Sequence, residues 1–451
     1  MASRRSIRLS RRGFLATAGL GFAAGGLAGT LGAPLLGSPF VSRAFADTRT
    51  LTIVQWSHFV PEFDVWFDRF AREWGEKNGL TVTVDHVPHE ELPARAASEV
   101  AAKAGHDLFM WNGAGGPHVY KKFLTDMTSV VEYVEKRYGK VDEIGRQIAF
   151  NRHSGTWSAF PDYYIRNPGM YRKDLWDEIG MSPNSWEDVR IGGAKLKKKG
   201  FPVGISLGHS VDPNTDWRSV LWSYGGSIQD QSGEHVVLDS KETLEAVKFG
   251  RALYKEAMDP EVLSWDDAGN NRFIDSGRGS WILNPISAYR SVQKINPALA
   301  DKIFVSKVPA GPVRRIACVP PNSYGVWNFA RNKDAAMDFL KHYADHWVDA
   351  FKASTGYNNP IYANIVPKPW PIISDDPTSH PRDKLKALET ASEWSAAYGY
   401  PGPAWGATDE VVNNFIIPDM FAKAATDQTT PEDAVKWAQH EVELIFKKWI
   451  A

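Results

Sequence analysis

Only one cysteine, Cys318, stands in the 451 residues, which excludes an intramolecular disulfide and a cysteine-rich metal site. The first 46 residues carry no acidic side chain, and from Gly13 to Ser42 there is no charge of either sign. No cysteine closes that uncharged run, so the acylated-cysteine anchor of a lipoprotein is excluded. The chain also lacks internal repeats, low-complexity tracts and long linkers. Asn112-Gly-Ala-Gly-Gly116 is glycine-rich, yet it fits neither the dinucleotide nor the phosphate-loop pattern, and no cofactor is expected.

What stands at the N-terminus has the three-part build of a secretory signal: positive charge from Arg4 to Arg12, an apolar run from Phe14 to Val41, and Ala44-Phe45-Ala46. The mature chain is expected to start near Asp47. Ser10-Arg-Arg-Gly-Phe-Leu15 resembles the twin-arginine signal, which makes the export machinery for folded proteins a partner and the periplasm the expected location. Pro34 and Pro39 interrupt a Gly- and Ala-rich run, so it is poorly suited to stay as a spanning helix.

Without the six arginines of residues 1–46, 46 basic residues face 53 acidic ones, a net charge of about −7. That balance argues against nucleic acid or an anionic membrane as the main partner. The remaining chain exceeds what one hydrophobic core usually fills, so two lobes are expected. Eighteen tryptophans are an unusual share. Their flat apolar faces suit a core, a sugar ring or a cation.

Leu51 to Gln55 reads as a strand, followed by a helix whose Phe63, Trp66, Phe67, Phe70 and Trp74 recur at spacings of three and four, ended by Gly79. Thr81 to Asp85 and Asp107 to Trp111 read as further strands, and so do Val203 to Ser206, Ile303 to Val308 and Tyr324 to Ala330. Helices are expected along Ala246 to Ala257, Ala336 to Trp347, and from Thr430 as N-cap to Phe446. Strands alternating with helices imply α/β lobes, each a mostly parallel sheet flanked by helices. Ligands then bind beyond the carboxyl ends of the strands, where the loops from Trp56 and Trp111 would face one crevice.

Four segments in this order resemble the family 1 extracellular solute-binding proteins, the sugar-binding receptors of ABC importers. They are Phe160-Pro-Asp-Tyr-Tyr164 with Tyr171 to Trp176 and Pro183 to Asp188; Trp217 to Trp222 with Gly225-Gly226; Gly277 to Trp281 with Asn284; and Ser323-Tyr-Gly325 leading through Asn332 to Leu340. The resemblance implies a type II-like periplasmic binding protein, monomeric and without enzymatic activity, that closes by hinge bending and delivers a sugar, oligosaccharide or polyol to an ABC permease. It places the first lobe at 47–161 and 320–372 and the second at 162–319 and 373–451.

Sugar recognition asks for an aromatic face and planar polar groups. The candidates are Trp56, His58, Trp111 and Asn112 at first-lobe strand ends; Asp162, Tyr163 and Tyr164 at a crossing; Asp216 and Trp217, with Asp212 and Asn214, on a polar loop before a helix; Trp281 and Asn284; and Trp405. Three other readings stay open. Gly204-Ile-Ser-Leu-Gly208 matches the nucleophile elbow of an exported serine hydrolase using Ser206, although the turn-rich His209 to Asn214 is not the helix that an elbow needs. Adjacent Tyr163 and Tyr164, with His58 and His209, suggest ferric iron. Tryptophans with an aspartate suggest a polyamine or betaine. His86-Val-Pro-His89-Glu90 is expected to be a solvated loop, because Pro88 breaks the helical face a zinc protease requires.

Overall fold

The computed structural model describes residues 50–450 apart from 114, 115 and 153. The expected export signal and its expected cleavage point lie outside the described residues. The apolar run after them forms the strand Thr50–Trp56, buried along almost its whole length. Phe63, Phe67, Ala71 and Trp74 bury one face of the helix Pro61–Asn78, and Gly79 ends it in a left-handed conformation at φ 68° that a side chain would disfavour.

Two separate sheets result. The first has six strands in the spatial order Asn358–Pro360, Phe160–Ile165, Pro321–Val326, Leu108–Asn112, Thr50–Trp56, Thr81–Val87. The second has four, in the order Ile303–Ser306, Gly169–Arg172, Trp281–Leu283, Val203–Gly204. The expectation of mostly parallel sheets needs correction. Within these two sheets parallel pairing is confined to Thr50–Trp56 with its two neighbours and to Val203–Gly204 with Trp281–Leu283, and every other junction in them is antiparallel. The cause is the crossing itself. A chain that leaves the first sheet at its crevice edge along Phe160–Ile165 has to come back through that edge, so Pro321–Val326 runs the opposite way.

Registers Trp56 with Val87, Asn322 with Asn112 and Pro321 with Tyr164 bring those strand ends to one edge. Phe160–Ile165 pairs within the first sheet along its length, so the outward crossing is Arg166–Pro168, a few residues beyond the expected position. Near the return crossing, Ala317–Cys318 pairs with Ser395–Ala396.

The single helix expected from Ala336 to Trp347 is two, Lys333–Asp345 and Trp347–Ala353, with His346 between them. At the C-terminus, Thr430 caps the helix Pro431–Ile450 by accepting from the Asp433 N–H at 3.1 Å. Ala434, Ala438, Val442, Ile445 and Phe446 are buried there. Trp437, expected inside, is half-buried beneath the Lys423 ammonium.

Candidate functional site

Trp56 ends its strand at the crevice edge fully buried, and its indole N–H donates to the Tyr163 hydroxyl at 2.9 Å. His58 packs at 4.7 Å from Trp56, accepts at Nδ1 from the Val60 N–H at 2.9 Å, and so presents Nε2–H to Asn358 Oδ1 at 3.0 Å. Burial first, against those hydrogen bonds, lowers its pKa to about 4, which keeps it neutral. Tyr357 and Phe59 complete an aromatic wall around Trp56.

The opposite wall comes from the helix Val211–Ser223. Its start was expected to be a polar loop, because Asp212-Pro213-Asn214 has the composition of a turn. Proline is tolerated in a first helical turn, however, and the free N–H groups find a distant cap: Asp267 accepts from Asp212 N at 2.9 Å and from Val211 N at 3.2 Å. Asp216, one turn further on and 1% exposed, accepts from Asn167 Nδ2 at 2.8 Å with one oxygen. Its other oxygen has no partner among the described residues.

The loop containing His89 is not solvated as expected. His89 is buried and its Nε2 meets Asp267 Oδ2 across the crevice. With Glu90 these form a group of metal-ligand type whose atoms lie within 4.8 Å of one another.

A ring of buried polar atoms at the crevice has no hydrogen-bond partner among the described residues. Alongside Asp216 Oδ2 it includes Asn112 Oδ1, Asn167 Oδ1, Asn270 Oδ1, Asn322 Oδ1, Arg218 Nε and Nη2, and the Tyr398 hydroxyl. Buried polar atoms are normally satisfied, so exceptions gathered from the first sheet, the segment Arg166–Pro168 and the helices Val211–Ser223 and Gly269–Asp275 mark a candidate binding crevice.

Residues 60–346 match the family described as bacterial extracellular solute-binding protein. The chain belongs to that family. The "Probable ABC transporter-binding protein" of Deinococcus radiodurans is 25% identical over 320 residues, 65% of this chain and 72% of its own. Among solved structures, a sugar transporter from Arthrobacter chlorophenolicus A6 with bound laminaribiose superposes with a TM-score of 0.74 at 17% identity, covering 87% of this chain and 98% of the other. The maltose-bound MalE3 of T. maritima gives 0.72 at 22% identity, covering 88% and 99%. The fold is therefore that of two-lobed solute-binding proteins, and no helix among the described residues is long and apolar enough to cross a membrane.

For a solute-binding protein the other predicted residues divide clearly. Asn112 sits at the crevice edge, and Asn284, at the end of the strand Trp281–Leu283, gives its amide to Asn271 Oδ1 at 2.7 Å. Trp405 donates to Gln229 Oε1 at 3.1 Å and lines an open cleft of about 680 Å³ together with Phe150, Arg152 and Glu234.

Four more point into the interior. Trp111 packs on Trp327 at 5.4 Å, and Asp162 accepts from Trp347 and Tyr343. Trp217 stacks on Phe421 at 4.6 Å and donates to the Ser206 carbonyl. Trp281 is wholly buried edge-on to Trp186.

Tyr163 and Tyr164, adjacent on a strand, project to opposite faces, and burial raises both phenols far from the tyrosinate form. His209 stacks on Phe415 and pairs with Asp419. These positions do not assemble the ferric site that the dipeptide suggested.

Sequence reasoning did not single out Asn167, Arg218, Asp267, Asn270, Tyr398 or the aromatic Tyr357 as binding residues. Asn167, placed between a strand and Pro168, carried a crossing signal; the others had none.

Proposed function

We propose that the solute is a sugar, oligosaccharide or polyol, captured between lobes close to 47–161 with 320–372 and 162–319 with 373–451, and delivered to an ABC permease. The observation that carries this reading is the ring of unmatched buried donors and acceptors beside the aromatic wall of Trp56, Tyr357 and Phe59. Polyhydroxylated rings offer both donors and acceptors for such a ring and an apolar face for such a wall. The bound maltose and laminaribiose of the solved neighbours support the same class. Within the reading the contact residues are Trp56, Asn112, Asp216 and Asn284, with Trp405 on the open cleft, and His58 and Tyr163 set the orientation of Trp56.

The protein acts in the periplasm as a monomer, folded before twin-arginine export and freed by cleavage near Ala46. It binds without catalysing. Ser206 is fully buried with its hydroxyl directed to the Trp265 carbonyl at 3.4 Å, which leaves no room for substrate at that oxygen.

Tryptophan fluorescence during titration with maltose, laminaribiose and ribitol tests the reading. Saturable change without product is the expected result. A covalent adduct on Ser206 after treatment with an active-site serine reagent would replace it with a hydrolase.

A further inference from the structure

Asp212, Asp216 and Asp267 converge at the start of one helix, yet they are unequally neutralised. Asp267 holds His89, whereas neither Asp212 nor Asp216 has an ion-pair partner among the described residues. Arg218, two positions along, gives Nη1 to the Asn214 carbonyl at 3.0 Å and to Asn214 Oδ1 at 2.6 Å and lies over the Tyr398 ring at 5.5 Å; its Nε and Nη2 are unmatched, but its charge faces Cys318 and Tyr398 and neither acid.

The asparagines around the pair give an independent indication. Asn270 donates Nδ2 to Asp212 Oδ2 at 2.9 Å, and Asn167 donates Nδ2 to Asp216 Oδ1 at 2.8 Å. Facing a carboxylate, each amide is fixed with its nitrogen toward the acid. The oxygens are then left over. Asn167 Oδ1, Asn270 Oδ1 and Asp216 Oδ2 are all buried acceptors without a donor, on residues at most 1% exposed. Three unmet acceptors and uncompensated negative charge in one spot call for a ligand group that brings several N–H donors and a positive charge.

We propose that the solute carries a protonated amine, an amino sugar or amine-bearing polyol, seated with its ammonium against Asp216 Oδ2 and the oxygens of Asn167 and Asn270. This deepens the sugar reading and rests on it. The aromatic wall holds the carbon ring while the ammonium reaches the acids of the second lobe, so one ligand contacts both lobes. Consistent with a missing cation, burial and then the neighbouring charges of Asp267 and Asp216 hold Asp212 well above the ordinary carboxylate range, and burial does the same to Asp216.

The test uses pairs of compounds that differ in one group: glucosamine and glucose, galactosamine and galactose, glucamine and sorbitol, chitosan disaccharide and cellobiose. Each is titrated calorimetrically into the protein at neutral pH. At least one amine member is expected to bind roughly tenfold or more tightly than its hydroxyl counterpart. In Asp216→Asn, which keeps the size and removes the charge, its affinity falls by roughly thirtyfold or more, and by a clearly larger factor than that of its hydroxyl counterpart. Melting of the unliganded variant checks its folding, and Asp212→Asn takes its place if that fails. Hydroxyl members that bind as tightly as the amines overturn the amine inference and leave the sugar reading intact. Absence of binding by every sugar and polyol, with or without binding of spermidine, overturns both.

Discussion

His89, just beyond the strand Thr81–Val87, and Asp267, just ahead of the helix Gly269–Asp275, form an ion pair buried on both sides. Asp267 also caps the helix that carries Asp212 and Asp216, so the carboxylate that holds His89 fixes the start of that helix as well.

Burial alone would lower His89, but the hydrogen bond and charge of Asp267 outweigh it and hold the imidazole above its ordinary value of 6.5. Burial would raise Asp267, and His89 holds it below 3.8 instead. The stabilisation that this pair supplies is therefore complete between those two ordinary values. It is lost as pH rises through the raised His89 value and as pH falls through the lowered Asp267 value. Small-angle scattering of the unliganded protein is expected to show a larger radius of gyration at both extremes. His89→Ala, which strands a buried carboxylate at a cost of roughly 3–5 kcal/mol, is expected to be open throughout. An unchanged profile in that variant would mean that other contacts close the lobes.

Trp281→Ala is predicted to act on stability before it acts on binding. Its side chain is fully buried in a second-lobe strand against Trp186, and a Cβ at Gly169 would stand only 3.0 Å from its Nε1, so the neighbouring strand passes close beneath the ring. Loss of such a ring costs roughly 3–5 kcal/mol. Denaturant unfolding measures it; a midpoint like that of the parent, with ligand affinity lost, would return Trp281 to the pocket.

Asp162 is pushed up to about 7 by burial, despite donors from Trp347 at 2.7 Å and Tyr343 at 3.2 Å. For a raised carboxyl the folded state prefers the proton, so stability falls as pH climbs from about 3.8 to about 7 and then levels. In Asp162→Asn that part of the pH profile is expected to flatten. Unfolding free energies at pH 5 and pH 8 give the comparison, and an equal drop in parent and variant would assign the slope to another group.

Local signals carried a large part of this architecture. The spacing of Phe63, Phe67 and Trp74 with Gly79 beyond it, and Thr430 before Pro431, are complete instructions within a few residues, and both helices form as expected. Trp56 and Asn112 were legible at the crevice edge because strand ends in an α/β sheet share it. The helix at Val211 was not, since its cap comes from Asp267, 55 and 56 residues away. His89 and Asp267 are 178 residues apart. Which tryptophan faces a ligand and which faces a core depends on which neighbouring strand lies alongside, and that is a property of the assembled sheets.

Cys318 pairs in the short strand at the return crossing, with its N–H on Ser219 Oγ at 2.8 Å and its thiol fully buried and pushed well above its ordinary pKa. Being the chain's one thiol, it is a built-in reporter beside the proposed return crossing. A thiol reagent can reach it only while the crossing is unlatched, so its rate of labelling counts opening events directly. Saturating ligand is expected to slow that rate, and His89→Ala to hasten it, without any label having to be engineered into the molecule.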